Sequence, residues 1–279
     1  MTSKLVRRSV LGGVGVLLTM TAVAAINLIT GDAGRSNVQP DFSKLNWVRI
    51  MYGSEGGYTE SYYEYDNRLW ARWETDFPGG DDNFMRRLPQ LTRIKTNPRA
   101  ASRLLTAPDL ADYPLLFMSD PGWMVLSERE RTALRQYLEN GGFVWVDDFW
   151  GDAEWEQFEA VMRDVLPDRD WRVITPKHPI FHTVFDLNEM PQIPAIDFAE
   201  PGGSTMERGG GHKEPMGPAE DPQMRAWVDD EGRIMVVATH NNDTGDGWER
   251  EAYGQWYFET FSTRAYMLGT NIVIYAMTH

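Results

Sequence analysis

Short apolar runs and longer amphipathic stretches take turns along this chain, and their lengths separate strands from helices. Residues 47–52, 115–118 and 143–146 are brief apolar runs that end at glycine or at acidic residues, the pattern of buried strands. Phe84, Leu88 and Leu91 recur at i, i+4 and i+7, which predicts a helix capped by Asp81 or Asp82. Ser127 with Glu130 three residues on predicts a capping box, Leu134 and Leu138 an inward face, and Gly141 the stop. A helix over 152–166 and a strand over 171–174 follow. Residues 224–228 and 233–239 predict a hairpin around Asp229-Asp230-Glu231-Gly232. Residues 262–277 are apolar nearly all round, as in a buried helix. Between these lie an aromatic-rich loop over 54–80 and a Gly/Pro-rich insertion, 202–222, without periodicity and expected to be flexible.

Short strands alternating with helices imply an α/β domain: a doubly wound, mostly parallel sheet, flavodoxin-like, with helices on both faces. In such sheets ligands sit beyond the carboxyl ends of the strands. Those ends carry Ser119-Asp120, Asp147-Asp148 and His240-Asn241-Asn242-Asp243. Four segments distant in sequence therefore bring polar groups to one edge, the fourth at Gly53.

The N-terminus follows a different pattern. Residues 10–29 carry no charge, and Lys4, Arg7 and Arg8 precede them without any acid. That is a signal peptide or membrane anchor with a twin-arginine-like start, Arg7-Arg8-Ser9-Val10-Leu11. The expected organisation is residues 1–30 as signal or anchor, 31–41 as linker and 42–279 as one extracytoplasmic domain in the periplasm or cell envelope. The formal net charge of −14 argues against a nucleic-acid partner. Zero cysteines in 279 residues exclude disulfides, thiolate metal sites and cysteine nucleophiles.

The candidate chemistry is acidic. Asp147-Asp148 ends a hydrophobic strand and offers carboxylates to a cation or to acid–base work; the bland reading is a turn cap. Alternation along a strand points successive side chains to opposite faces, so one of the two, expected to be Asp148, faces the crevice. His178-Pro179-Ile180-Phe181-His182 sets two imidazoles four residues apart, without the glutamate of a zinc-protease helix. Asn241, Asp243, Asp246 and Glu249, with Trp248 among them, form an Asx-rich turn that departs from the calcium-loop pattern at Gly245. There is no G-x-S-x-G elbow, phosphate loop or dinucleotide fingerprint.

The motifs Thr75-Asp76-Phe77-Pro78, Asn83 to Leu88, Tyr137 to Phe143 with Asp147-Asp148, 178–182 and 243–249 resemble a bacterial domain-of-unknown-function family, number 4159. The resemblance implies a fold similar to the class I glutamine-amidotransferase-like domain. It implies no activity, since none is established for the family, and amidotransferase chemistry does not carry over because its cysteine has no counterpart here. Asp76, Asp147, Asp148, His178, His182, Asn241, Asp243, Asp246, Trp248 and Glu249 are thus expected to converge on one crevice. Two functions fit: a non-catalytic module for a ligand or envelope protein, or a hydrolase of glycans or peptides using Asp and His groups. No cofactor is required by either, and a divalent cation suits both.

Overall fold

The computed structural model describes residues 38–54, 62–65, 67–199, 201, 205–206 and 221–279. The segment read as signal or anchor and most of the 202–222 insertion lie outside the described residues. Among the described residues no helix is long and apolar enough to cross a membrane.

The core is a seven-stranded, mostly parallel sheet. Its strands are β1 (Val48–Met51), β5 (Ala101–Leu104), β6 (Leu115–Ser119), β8 (Phe143–Asp147), β9 (Arg172–Ile174), β10 (Gln223–Val228) and β11 (Ile234–His240). They lie in the order β5-β1-β6-β8-β11-β10-β9. The first five are parallel; β10 runs antiparallel to β11, and β9 antiparallel to β10. β6 and β8 are buried at every position, as two-sided coverage of a parallel sheet requires. Two small ribbons complete the strands: β2 (Gly53–Ser54) with β7 (Met124–Val125), and a hairpin of β3 (Tyr62–Tyr65) and β4 (Arg68–Ala71). That hairpin and a 3₁₀ turn, Arg72–Glu74, occupy part of the stretch expected to be loop throughout.

Register places Trp145 beside Val237, and Trp227 beside Val236, so the two indoles leave the sheet on opposite faces. On the Trp145 side lie α1 (Gly79–Leu91) and α4 (Thr244–Glu249), where Phe84 stacks on Trp248 at 4.3 Å between centroids. α5 (Thr263–Thr278) packs against α4 and α1. On the Trp227 side Trp155 and Phe158 come from α3 (Gly151–Val165), which contacts α2 (Glu128–Glu139).

α2 opens on the expected capping box: Ser127 Oγ accepts from Glu130 N, and Glu130 Oε2 accepts from Ser127 N at 2.9 Å. α1 differs from expectation. It begins at Gly79 after Pro78, and Asp81 and Asp82 fall inside its first turn without capping it. Asp81 is instead drawn inward to Trp47 Nε1 (2.6 Å) and the guanidinium of Arg49, while Asp82 accepts from Ala100 N.

Candidate functional site

Because β1, β6, β8 and β11 run parallel, their carboxyl ends open on the same edge of the sheet. The backbone turns sharply there. Asp120, Asp148 and Asn241, each just past a strand, have φ of 56°, 60° and 58°, and Asp76 has φ 63°. Left-handed conformations in residues with a Cβ are sparse and mildly strained, and they gather where surrounding structure over-determines them. Here they swing side chains sideways off the strand ends and across the edge.

Adjacent residues Asp147 and Asp148 meet different fates. Asp147 is the last residue of β8 and fully buried. Its carboxylate accepts from Thr239 Oγ1, Asn242 Nδ2 (3.2 Å), Thr244 Oγ1 (2.9 Å), Thr244 N (2.6 Å) and Gly245 N (3.2 Å). Burial pushes this carboxyl up to about 6, against the hydrogen bonds that favour its charged form. It ties β8 to the start of α4. Asp148, turned by its left-handed backbone, leaves that network. Its Oδ2 lies 3.5 Å from Ser119 Oγ, and the side chain faces Asp76 and Asp243. It is nevertheless only 5% exposed, deeper than a crevice-facing residue was expected to be.

Asp76, Asp148 and Asp243 each offer one carboxylate oxygen to a cluster whose oxygens lie within 4.8 Å of one another. Asp76, Asp246 and Glu249 form a second such group, so Asp76 is common to both. Asp243 is the N-cap of α4, accepting from Asp246 N at 2.7 Å. Asp246 accepts from Ile196 N (2.5 Å) and pairs with Arg250, which also meets Glu249 at 2.9 Å. Burial, then the charges of Asp246, Glu249 and Asp148, hold the Asp76 carboxyl well above the usual carboxylate range. Asp76 Oδ2 is buried and has no hydrogen-bond partner.

The loop that presents Asp76 is fixed from below. Arg49, fully buried on β1, donates Nη1 to the carbonyls of Trp73 (3.0 Å) and Thr75 (2.6 Å) and grips Asp81 through Nη2 and Nε. Beside the cluster, Arg72 pairs with Asp120 at 3.0 Å and lies over the Trp123 ring. Tyr52 Oη donates to the Ser119 carbonyl (2.5 Å) and lies 2.8 Å from that of Asp120. Burial and the Asp120 charge raise this phenol well above its ordinary value.

Not every expected residue reaches the crevice. The two histidines do not share it. Pro179 opens a 3₁₀ turn, Pro179–Phe181, and the imidazoles are taken up locally. His178 Nδ1 accepts from Ile180 N, and its ring packs on Tyr275 in the last turn of α5. His182 contacts Asp186 Oδ1 and the Pro176 carbonyl. Trp248 is a core residue, fully buried among Trp47, Phe84, Phe117 and Trp145. Asn241 is a strut: its Oδ1 accepts from Gly151 N and its Nδ2 donates to the Asp221 carbonyl. Asp76, Asp148, Asp243, Asp246 and Glu249 form the carboxylate cluster at this edge. Arg49, Arg72 and Tyr52 were not among the expected residues. The sequence signal for Arg49 is a lone arginine inside an apolar strand, which demands a buried acid.

The profile of the family described as Domain of unknown function (DUF4159) matches residues 62–277. The chain belongs to this family. The match takes in all five crevice carboxylates and leaves out β1, the strand that carries Arg49. No curated protein matches the chain.

Proposed function

We propose that this DUF4159 protein is a non-catalytic ligand-binding module of the cell envelope, whose acidic crevice receives a positively charged ligand or partner. One observation carries the reading: five carboxylates from the loop after β4, the end of β8 and α4 meet at the carboxyl edge. Like charges held together in a low-dielectric cleft repel, and a cation relieves that repulsion on binding. The N-terminal basic start and uncharged run support an exported or tethered location. The hydrolase alternative finds less support, because neither His178 nor His182 contacts a crevice carboxylate. His240 cannot replace them. Burial lowers its pKa to about 4, and its Nε2 is held at the Gly151 carbonyl.

The test is a melting-temperature series on the purified protein with spermidine, trilysine and divalent chlorides. At least one cation is expected to raise the melting temperature by mass action on the folded state, and Asp148→Asn to reduce the gain. No response to any of them overturns the reading. For location, a reporter fused after residue 279 is expected to be active only outside the cytoplasm.

A further inference from the structure

We propose that Asp76, Asp148 and Asp243 form a binding site for a hard divalent cation, with calcium favoured by the donor set. This deepens the crevice reading and rests on it, narrowing a cationic ligand in general to a bare metal ion. The three donors come from separate segments, and their oxygens lie within 4.8 Å of one another. Calcium is held by several protein oxygens and sheds its water readily, whereas magnesium dehydrates reluctantly and is bound through one or two carboxylates, so three converging carboxylates favour calcium. The donor set is carboxylate throughout. Among the described residues no histidine joins the cluster, and the chain has no cysteine, so the donor set favours an oxygen-seeking ion over zinc.

An acidic cluster alone would not make a site, and a second observation points to an occupant. Asp76 Oδ2 is a buried oxygen with no hydrogen-bond partner, in a structure that saturates Asp147 at the same sheet edge. It rests on the Cα of Gly245. A Cβ there would clash with Oδ2 and would lie 3.5 Å from Asp243 Oδ1, so the bare glycine lets the two carboxylates share one space. Gly80 permits the same approach from α1, where a Cβ would meet the Gly245 carbonyl at 2.8 Å. Arg49, the cation whose field reaches Asp76, does not enter this space; its guanidinium holds Asp81 and two carbonyls. Asp246 and Glu249, grouped with Asp76 on its other side, already share Arg250, which leaves Asp76, Asp148 and Asp243 as the ligand set.

The experiment is calorimetric titration of the full chain, stripped with chelator, with calcium, magnesium and zinc chlorides. One calcium per chain is expected, with Kd on the order of 10⁻⁴ M, tighter than magnesium and zinc. Asp148→Asn is expected to weaken calcium at least about tenfold by loss of a ligand charge. Gly245→Ala, which displaces Asp76, is expected to do the same while leaving every ligand in the chain. Asp164→Asn, an exposed acid on α3, serves as control and is expected to change nothing. Calcium binding that survives both variants undiminished, or zinc binding tighter than calcium, overturns the assignment. If calcium gives no heat while spermidine or trilysine still stabilises the protein, the metal site falls and the crevice reading stands. If none of them acts, both fall.

Discussion

The histidine turn at 178–182 and the carboxylate crevice are built from similar material: polar side chains at the sharp turns that follow strands. They differ in what their atoms already hold. Each imidazole of the turn is engaged by a neighbour within six residues, His178 by Ile180 N and His182 by Asp186 and the Pro176 carbonyl. In the crevice, Asp76 Oδ2 holds nothing. The contrast repeats at closer range in Asp147 and Asp148, one saturated by five donors and the other turned away by a φ of 60°. Residue type and spacing name the groups that could act. Local hydrogen bonding decides which remain able to.

The largest expected effect tests that division directly. Asp147→Ala is expected to lower the unfolding free energy by about 3–5 kcal/mol, because buried donors on β11 and α4 lose their charged acceptor. Asp148→Ala is expected to change it by no more than about 1 kcal/mol. Urea denaturation measures both, and equal losses would abolish the distinction.

A second effect concerns His240, the buried imidazole of the same edge. Burial and the charge of Arg225 lower its pKa from 6.5 to about 4, so as pH falls the unfolded chain takes up the proton first. Its contribution is complete above 6.5 and is lost as pH falls through 4. Asp147, raised to about 6, works in the opposite sense over the same range, so wild type alone would blur the result. Measured against His240→Gln, the wild-type advantage is expected to shrink by roughly 3 kcal/mol between pH 7 and pH 4. A constant difference would mean that the ring is solvated.

Smaller still, Asp148→Asn is expected to stabilise the empty protein by about 0.5–1 kcal/mol through relief of carboxylate repulsion. Marked destabilisation would make Asp148 a structural residue like its neighbour. Smallest of all, His182→Ala is expected to cost about 0.5 kcal/mol or less, its partner Asp186 being 86% exposed. It should also leave any cation-induced stabilisation unchanged.

Much of the sheet was legible because β6 and β8 are unbroken apolar runs and because the Ser127–Glu130 box and Gly141 bound α2 sharply. The hairpin of β10 and β11 followed from its turn at Asp229-Asp230-Glu231-Gly232, where Asp229 Oδ1 accepts from Glu231 N and Arg233 N. β5 was not legible. Its Ala-Ser-Arg-Leu has no strand pattern, and it is held in place by pairing with β1 at the sheet's edge. The start of α1 was misjudged because Asp81 looks like a cap locally, while a buried arginine 32 residues earlier claims it. In the same way, acids at strand ends located the crevice, yet no spacing rule reveals which of them are saturated. That depends on Thr239, Asn242 and Thr244, which come within reach of Asp147 only in the folded chain.

Asp147 has one further consequence. By joining the end of β8 to the start of α4, it makes the segments bearing Asp148 and Asp243 parts of a single stiff frame. Arg49 fastens the third segment, holding the carbonyls of Trp73 and Thr75 on the approach to Asp76. None of the three walls hangs on a free hinge. For the cation site proposed above, such bracing would resist contraction around a small ion or widening for a large one, and selection would then go by ionic radius where a floppy cluster of equal charge would select only by valence.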